Sequence, residues 1–223
     1  FIIGFPKFIA ISNQGLTTFQ KICDVETEIK ETRINDAKVD PYGGIVFGTY
    51  NEHPDRKNRK PIASLYRLAP DLSLTHLLSN ITVSNGIAFS REENILYFAD
   101  TPTGRIQKFE YSQDFNKFHE LRSNLIFKDV GVPDGATMDS QNNYWSARVR
   151  GNCIICIDIK KEKILKKFNL PTATPTCLTF GGPDSSNLFV TSLRADPIND
   201  NVDGNLYKVE TSTKGLMQIL SDI

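Results

Sequence analysis

Apolar and polar residues alternate along this chain in short runs, and the runs come in pairs. Ser84-Asn85-Gly86-Ile87-Ala88-Phe89-Ser90, a brief polar turn and the more apolar Ile95-Leu96-Tyr97-Phe98-Ala99-Asp100 read as the two strands of a β-hairpin. The same pattern recurs from Asn35 to Thr49, from Asp134 to Arg148 and, more loosely, from Thr176 to Ser192. Its opening polar residues Asn35, Asn85, Asp134 and Thr176 are 50, 49 and 42 residues apart. Steps of about 40 to 50 residues, with about four short strands each, are the period of β-propeller blades. The pattern predicts an all-β chain with four clear blade repeats plus a partial one, forming a single β-propeller domain over residues 1–223.

Equivalent positions of successive blades surround one axis, so Asn35, Asn85 and Asp134 are predicted to converge on the mouth of a central channel. An aspartate before glycine can simply cap a turn, and that would account for Asp134 alone. It accounts less well for Asn, Asn and Asp at the same place in three repeats. Carboxylate and amide oxygens suit one hard divalent cation, Ca²⁺ or Mg²⁺, with Zn²⁺ and Mn²⁺ also compatible.

Taken in order, residues 1–22 read as two or three strands with a turn at Ser12-Asn13-Gln14-Gly15, and 23–32 as a charged connection. The polar insert 51–61 reads as a surface loop. Further short alternating runs complete each blade, and helices have almost no room.

Composition narrows the function classes. At 223 residues and 39% hydrophobic content the chain can bury a substantial core. Lys plus Arg equals Asp plus Glu at 26 each, which argues against a nucleic-acid partner. With no run of 18 apolar residues, no membrane span is expected. Four cysteines are too sparse for a disulfide scaffold. Cys153 and Cys156 lie in an alternating run whose spacing puts them on opposite faces of a strand, so a buried strand is expected rather than a redox or zinc site. A reducing, cytoplasmic setting and a monomer are expected. Asn80-Ile81-Thr82 matches the N-glycosylation pattern and is read as a chance match. His53, His76 and His119 form no metal motif, and no nucleophile elbow or phosphate loop occurs. The acidic loop Arg194–Gly204 lacks EF-hand spacing and is read as a solvated rim loop.

Several stretches together resemble the regucalcin, gluconolactonase and luciferin-regenerating enzyme family: Arg33 to Pro41, Gly48-Thr49, Ser84 to Ser90, Pro133-Asp134-Gly135, Phe180 to Asp184, and Val190-Thr191-Ser192. The resemblance covers almost the whole chain in the right order. It implies a six-bladed propeller holding one divalent metal in its channel, and hydrolysis of a small sugar lactone. Position by position, it implies Asn85 and Asp134 as metal ligands and Asp134 as general base. It also implies Arg33, Asn35 and Glu52 as substrate contacts, with His53 the alternative to Glu52. Ala37 stands where the family commonly has glycine, which matters only if that residue needs positive φ. The family's Glu-Gly-Pro ligand motif does not occur, so the chain is expected to be N-terminally incomplete, or else a member with a weakened metal site. The other readings are a non-catalytic metal-binding propeller and an organophosphate or aryl-ester hydrolase. Arg33 and Asn35 separate these, since polyhydroxylated lactones need them and apolar esters do not.

Overall fold

A computed structural model describes residues 1–90, 92–122, 124–194, 201–216 and 219–223. Short strands dominate. The first sheet is β1 (Ile2–Gly4), β2 (Phe8–Ser12) and β3 (Phe19–Asp24), in sequential order. The second is β4 (Thr32–Val39), β5 (Ile45–Asn51), β6 (Ala63–Leu68) and β7 (Leu74–Ile81), again sequential. The third holds β8 (Ser84–Ser90), β9 (Ile95–Asp100) and β10 (Arg105–Tyr111), with β11 (Phe118–Glu120) and β12 (Leu125–Ile126) both pairing β10. β13 (Val132–Met138), β14 (Tyr144–Val149), β15 (Cys153–Asp158) and β16 (Lys163–Asn169) form the fourth sheet. β17 (Pro175–Gly181), β18 (Asn187–Ser192) and β19 (Leu206–Glu210) form the fifth. The four predicted repeats open the second to fifth sheets, and the first three strands are the partial one. Helical structure among the described residues is limited to 3-10 turns at Arg56–Asn58 and Thr101–Thr103.

Burial drops at the last strand of the second, fourth and fifth sheets. Every residue of β8 is buried, whereas β16 alternates exposed and half-buried positions and carries Lys163, Lys166 and Lys167. That is how an outer strand is kept from pairing with another chain. The interior strand β15 is buried on both faces, which is why its sequence reads as a nearly unbroken apolar run. Cys153, Ile155 and Ile157 face a core shared with Tyr97 and Ile106 of the third sheet. Ile154 and Cys156 face another, with Trp145, Leu178 and Val190. The two cysteines are therefore on opposite faces, as the spacing predicts. Burial raises both thiols, Cys156 to about 12, so neither is a thiolate near neutral pH.

The chain divides into two compact units, Phe1–Ser84 with Ile219–Ile223, and Asn85–Gln218. In the first, Ile9, Val25, Ile34, Phe47 and Leu68 form the core between two sheets. Fully burying one such side chain contributes about 1.5–3 kcal/mol.

The hairpin that opens a sheet has a repeated construction. In β4–β5 the register runs Ile34↔Thr49 and then Ala37↔Phe47, so one extra residue is accommodated at Asn35-Asp36. β13–β14 does the same between Pro133↔Arg148 and Ala136↔Ser146, at Asp134-Gly135. β17–β18 repeats it between Pro175↔Ser192 and Leu178↔Val190, at Thr176-Cys177. Such a bulge bends the strand and re-aims a side chain. In three sheets the bulge thus falls on the polar residue that heads the sequence repeat.

The far end of the hairpin is also built alike. Buried Asp40 accepts hydrogen bonds from the Tyr42 and Gly44 amides at 2.7 and 3.2 Å and an ion pair from Arg67 Nε at 2.6 Å. Buried Asp139 accepts from the Gln141 and Asn143 amides, each at 2.9 Å, and from the Trp145 indole at 2.8 Å. Each aspartate closes its turn and ties it to the neighbouring strand.

Candidate functional site

In the first unit the bulge of β4 places Arg33 and Asn35 beside the end of β5. Asn35 is exposed, and its amide nitrogen donates to the Ser84 carbonyl at 2.8 Å. Arg33 pairs across the strands with Tyr50. Its Nε donates to the Tyr50 hydroxyl at 3.2 Å, its Nη1 donates to the Ile34 carbonyl at 3.0 Å, and its guanidinium lies 4.6 Å from the Tyr50 ring centroid. Glu52 stands 3.5 Å from Arg33 Nε. Arg33 and Glu52 are therefore brought together, with Asn35 two residues from Arg33 along the bulged strand. His53, the alternative to Glu52, instead uses its ring Nδ1 within the insert, against Asp55. Ala37 does not have positive φ, so this position does not require glycine.

A polar network lies behind this hairpin. Glu26 Oε1 accepts from Thr49 Oγ1 at 2.9 Å and from Tyr66 Oη at 3.0 Å. Burial pushes the Tyr66 phenol up to about 12, with Glu26 adding to the rise and Ser64 opposing it. Lys7 donates to Thr32 Oγ1 at 3.0 Å and to the carbonyls of Glu26 and Ile29. A cavity of about 720 Å³ in the same unit is lined mainly by Ile2, Ile9, Ile34, Phe47 and Ile223, and contains none of the predicted site residues.

In the second unit Asn85 is buried on β8, and its amide nitrogen donates to Thr101 Oγ1 at 2.8 Å. The Thr101 hydroxyl donates in turn to the Pro133 carbonyl at 2.8 Å, immediately before Asp134. Thr101 thereby orients the Asn85 amide and links it to the bulge that carries Asp134. Glycines are needed on both sides of this link. Gly86 has φ +66°, and a Cβ there would stand 2.6 Å from the Tyr144 hydroxyl, which donates to the Gly86 carbonyl. A Cβ on Gly135 would stand 2.9 Å from the Cα of Cys177 on β17.

Asn85 and Asp134 offer the amide and carboxylate oxygens that hard cations take. Among the described residues no group of three or more His, Cys, Asp and Glu is placed to hold a metal; the two ligands expected from the sequence would supply one amide and one carboxylate oxygen. Residues 195–200 of the acidic loop lie outside the described residues. Sequence reasoning missed Thr101, Tyr50 and Arg59. Thr101 comes from a 3-10 turn outside the repeat pattern, and the Tyr50–Arg59 contact crosses an insert that has no periodicity.

A family model described as the SMP-30/gluconolactonase/LRE-like region matches residues 1–194. Regucalcin of Xenopus laevis is 30% identical over 210 residues, covering 93% of this chain and 67% of that protein. The pentonolactonase XacC of Haloferax volcanii is 28% identical over 202 residues, covering 86% and 67% respectively. The solved structure of a luciferin-regenerating enzyme superposes with a TM-score of 0.89 at 29% identity, over all of this chain and 77% of that one, giving the chain an all-β propeller fold. Against other curated relatives the chain spans 64%, 59% and 56% of their length. No helix among the described residues is long and apolar enough to cross a membrane.

Proposed function

Because the chain belongs to the SMP-30/gluconolactonase/LRE-like family, we propose that it serves the hydrolysis of a small sugar lactone. The observation that carries this reading is the Asn85–Thr101–Pro133 relay, which orients an amide and ties it to the strand segment bearing Asp134. A divalent cation, for which Asn85 and Asp134 are the candidate ligands, would supply Lewis acidity toward the lactone carbonyl or its attacking water. Asp134 accepts the proton of the attacking water as its oxygen bonds to the carbonyl carbon. The ring C–O bond then breaks, and the departing ring oxygen takes a proton to give the open hydroxy acid. Arg33 and Asn35 donate to the hydroxyls and ring oxygens of the sugar, and Glu52 holds Arg33 in place while accepting from a sugar hydroxyl. Names among the relatives support the substrate class, since one of them is a pentonolactonase.

The test is hydrolysis of a panel of aldonolactones by chelator-stripped protein, with Ca²⁺, Mg²⁺, Mn²⁺ or Zn²⁺ restored singly. Cation-dependent turnover is expected, falling by roughly 10²–10⁴-fold in Asp134→Ala. Turnover that survives this substitution would remove Asp134 from the reaction.

A further inference from the structure

The insert after β5 concentrates positive charge beside Arg33. The Arg59 guanidinium lies 5.2 Å from the centroid of the Tyr50 ring, the same ring on which Arg33 stacks at 4.6 Å. Residues 52–60 hold four cationic side chains against the carboxylates of Glu52 and Asp55. Both carboxylates are engaged elsewhere than at Arg59. Glu52 pairs with Arg33 at 3.5 Å, and Asp55 accepts from the Lys57 amide at 3.0 Å and the Asn58 side chain at 2.8 Å. Arg59 Nε donates to the His53 carbonyl at 3.0 Å, and its two terminal nitrogens meet no acceptor among the described residues. Burial pulls this guanidinium below the ordinary arginine range, with Arg56 and Arg33 adding to the effect and Tyr50 opposing it. Two planar cations are thus held against one aromatic ring, and among the described residues only Arg33 has a carboxylate partner. Each guanidinium gains cation–π attraction from the ring, but bringing the two like charges together works against it. A bound anion relieves that repulsion, and a stacked guanidinium is pre-organised for bidentate contact with carboxylate or phosphate.

Resting on the lactonase reading of Arg33 and Asn35, we propose that Arg33 and Arg59, held on Tyr50, receive an anionic group of the substrate, so that the preferred lactone carries a carboxylate or a phosphate. Arg59 then sets specificity through direct contact with that group, while the lactone chemistry is left to other residues.

The test compares kcat/KM for neutral gluconolactone, glucarolactone and phosphogluconolactone at low ionic strength, in the protein and in Arg59→Gln and Arg59→Lys. At least one anionic lactone is expected to exceed the neutral one by about tenfold or more, and which one does so separates carboxylate from phosphate. The anionic-to-neutral ratio should fall by about tenfold in Arg59→Gln and recover in part in Arg59→Lys. A ratio below one in the protein, or one unchanged in Arg59→Gln, overturns the proposal. If no lactone is turned over, the lactonase reading fails, and calorimetric titration with glucarate, phosphogluconate and neutral glucitol decides the anion site separately. One of the two anions should then bind more tightly than glucitol, and that advantage should be lost in Arg59→Gln. Equal binding of the anions and glucitol, or anion binding unchanged in Arg59→Gln, overturns it.

Discussion

The β4–β5 hairpin of the first unit and the β13–β14 hairpin of the second have one construction and two chemistries. In both, a bulge falls on the polar residue that opens the repeat, and a buried aspartate five positions later closes the turn. Aligning the bulges puts Asn35 against Asp134, Asp40 against Asp139, and the Arg33↔Tyr50 pair against Val132↔Val149. At the same cross-strand position the first hairpin carries a charged, hydrogen-bonded pair and the second an aliphatic one. The backbone device is conserved between repeats, and the side chains beside it are what change. A bulge can therefore be read as a mounting point whose function depends on the residue placed there.

The largest effect should come from the turn aspartates, whose partners differ. Asp40→Ala leaves Arg67 buried without its ion pair and is expected to cost about 3–5 kcal/mol in urea unfolding. Asp139→Ala strips only neutral partners, the Trp145 indole, two backbone amides and the Asn143 side-chain amide, and should cost less, about 2–3 kcal/mol. Equal losses would show that the charge on Arg67 makes no difference and would weaken the contrast between the two turns.

A smaller effect separates the residues just after the bulge heads. The first unit carries Asp36 there, whereas a Cβ on Gly135 meets the β17 backbone at 2.9 Å. Gly135→Ala is expected to lower stability by about 1–3 kcal/mol, and Asp36→Ala by less than about 0.5 kcal/mol. Thermal unfolding of the two variants checks this, and equal shifts would mean that the close approach does not matter. Thr101→Val, which breaks the relay from Asn85 to the Asp134 bulge, should weaken cation binding by about tenfold while the fold persists. Unaltered affinity would leave Thr101 with a purely structural role.

A pH dependence is also expected from the first unit, through Tyr66. The Tyr66 phenol loses its proton near 10 when unfolded and near 12 in the fold, so the folded state holds the extra proton between those values. Stability must then fall as pH rises from 10 to 12. Tyr66→Phe should flatten that slope relative to the parent protein, and an unchanged slope would assign it to other groups.

Much of this was legible in the sequence for identifiable reasons. The repeat spacing and alternating runs identify the strands because the second to fifth sheets each open with the same hairpin. Cys153 and Cys156 could be placed on opposite faces because strand geometry has period two. Asn85 and Asp134 stood out because both head a repeat. The bulges were not legible, since a bulge is a mismatch between two strands and neither strand records it alone. Thr101 and Arg59 were missed because their partners are brought to them by a 3-10 turn and by an aperiodic insert. The pair Asp40 and Asp139 did leave a signal, an aspartate at the same offset from each bulge head, but its buried partners Arg67 and Trp145 come from the following strands and only the fold connects them.

The most direct test of the central claim, that a shared bulge carries a cation ligand in one repeat and not in another, is calorimetric titration of Ca²⁺ and Mn²⁺ into the protein and into two bulge variants. Asp134→Ala should lose cation affinity by about 100-fold or more, because it removes the proposed carboxylate ligand. Thr176→Ala, at the equivalent bulge of β17, should change it by less than about threefold. Equal losses in both, or none in Asp134→Ala, would contradict the account.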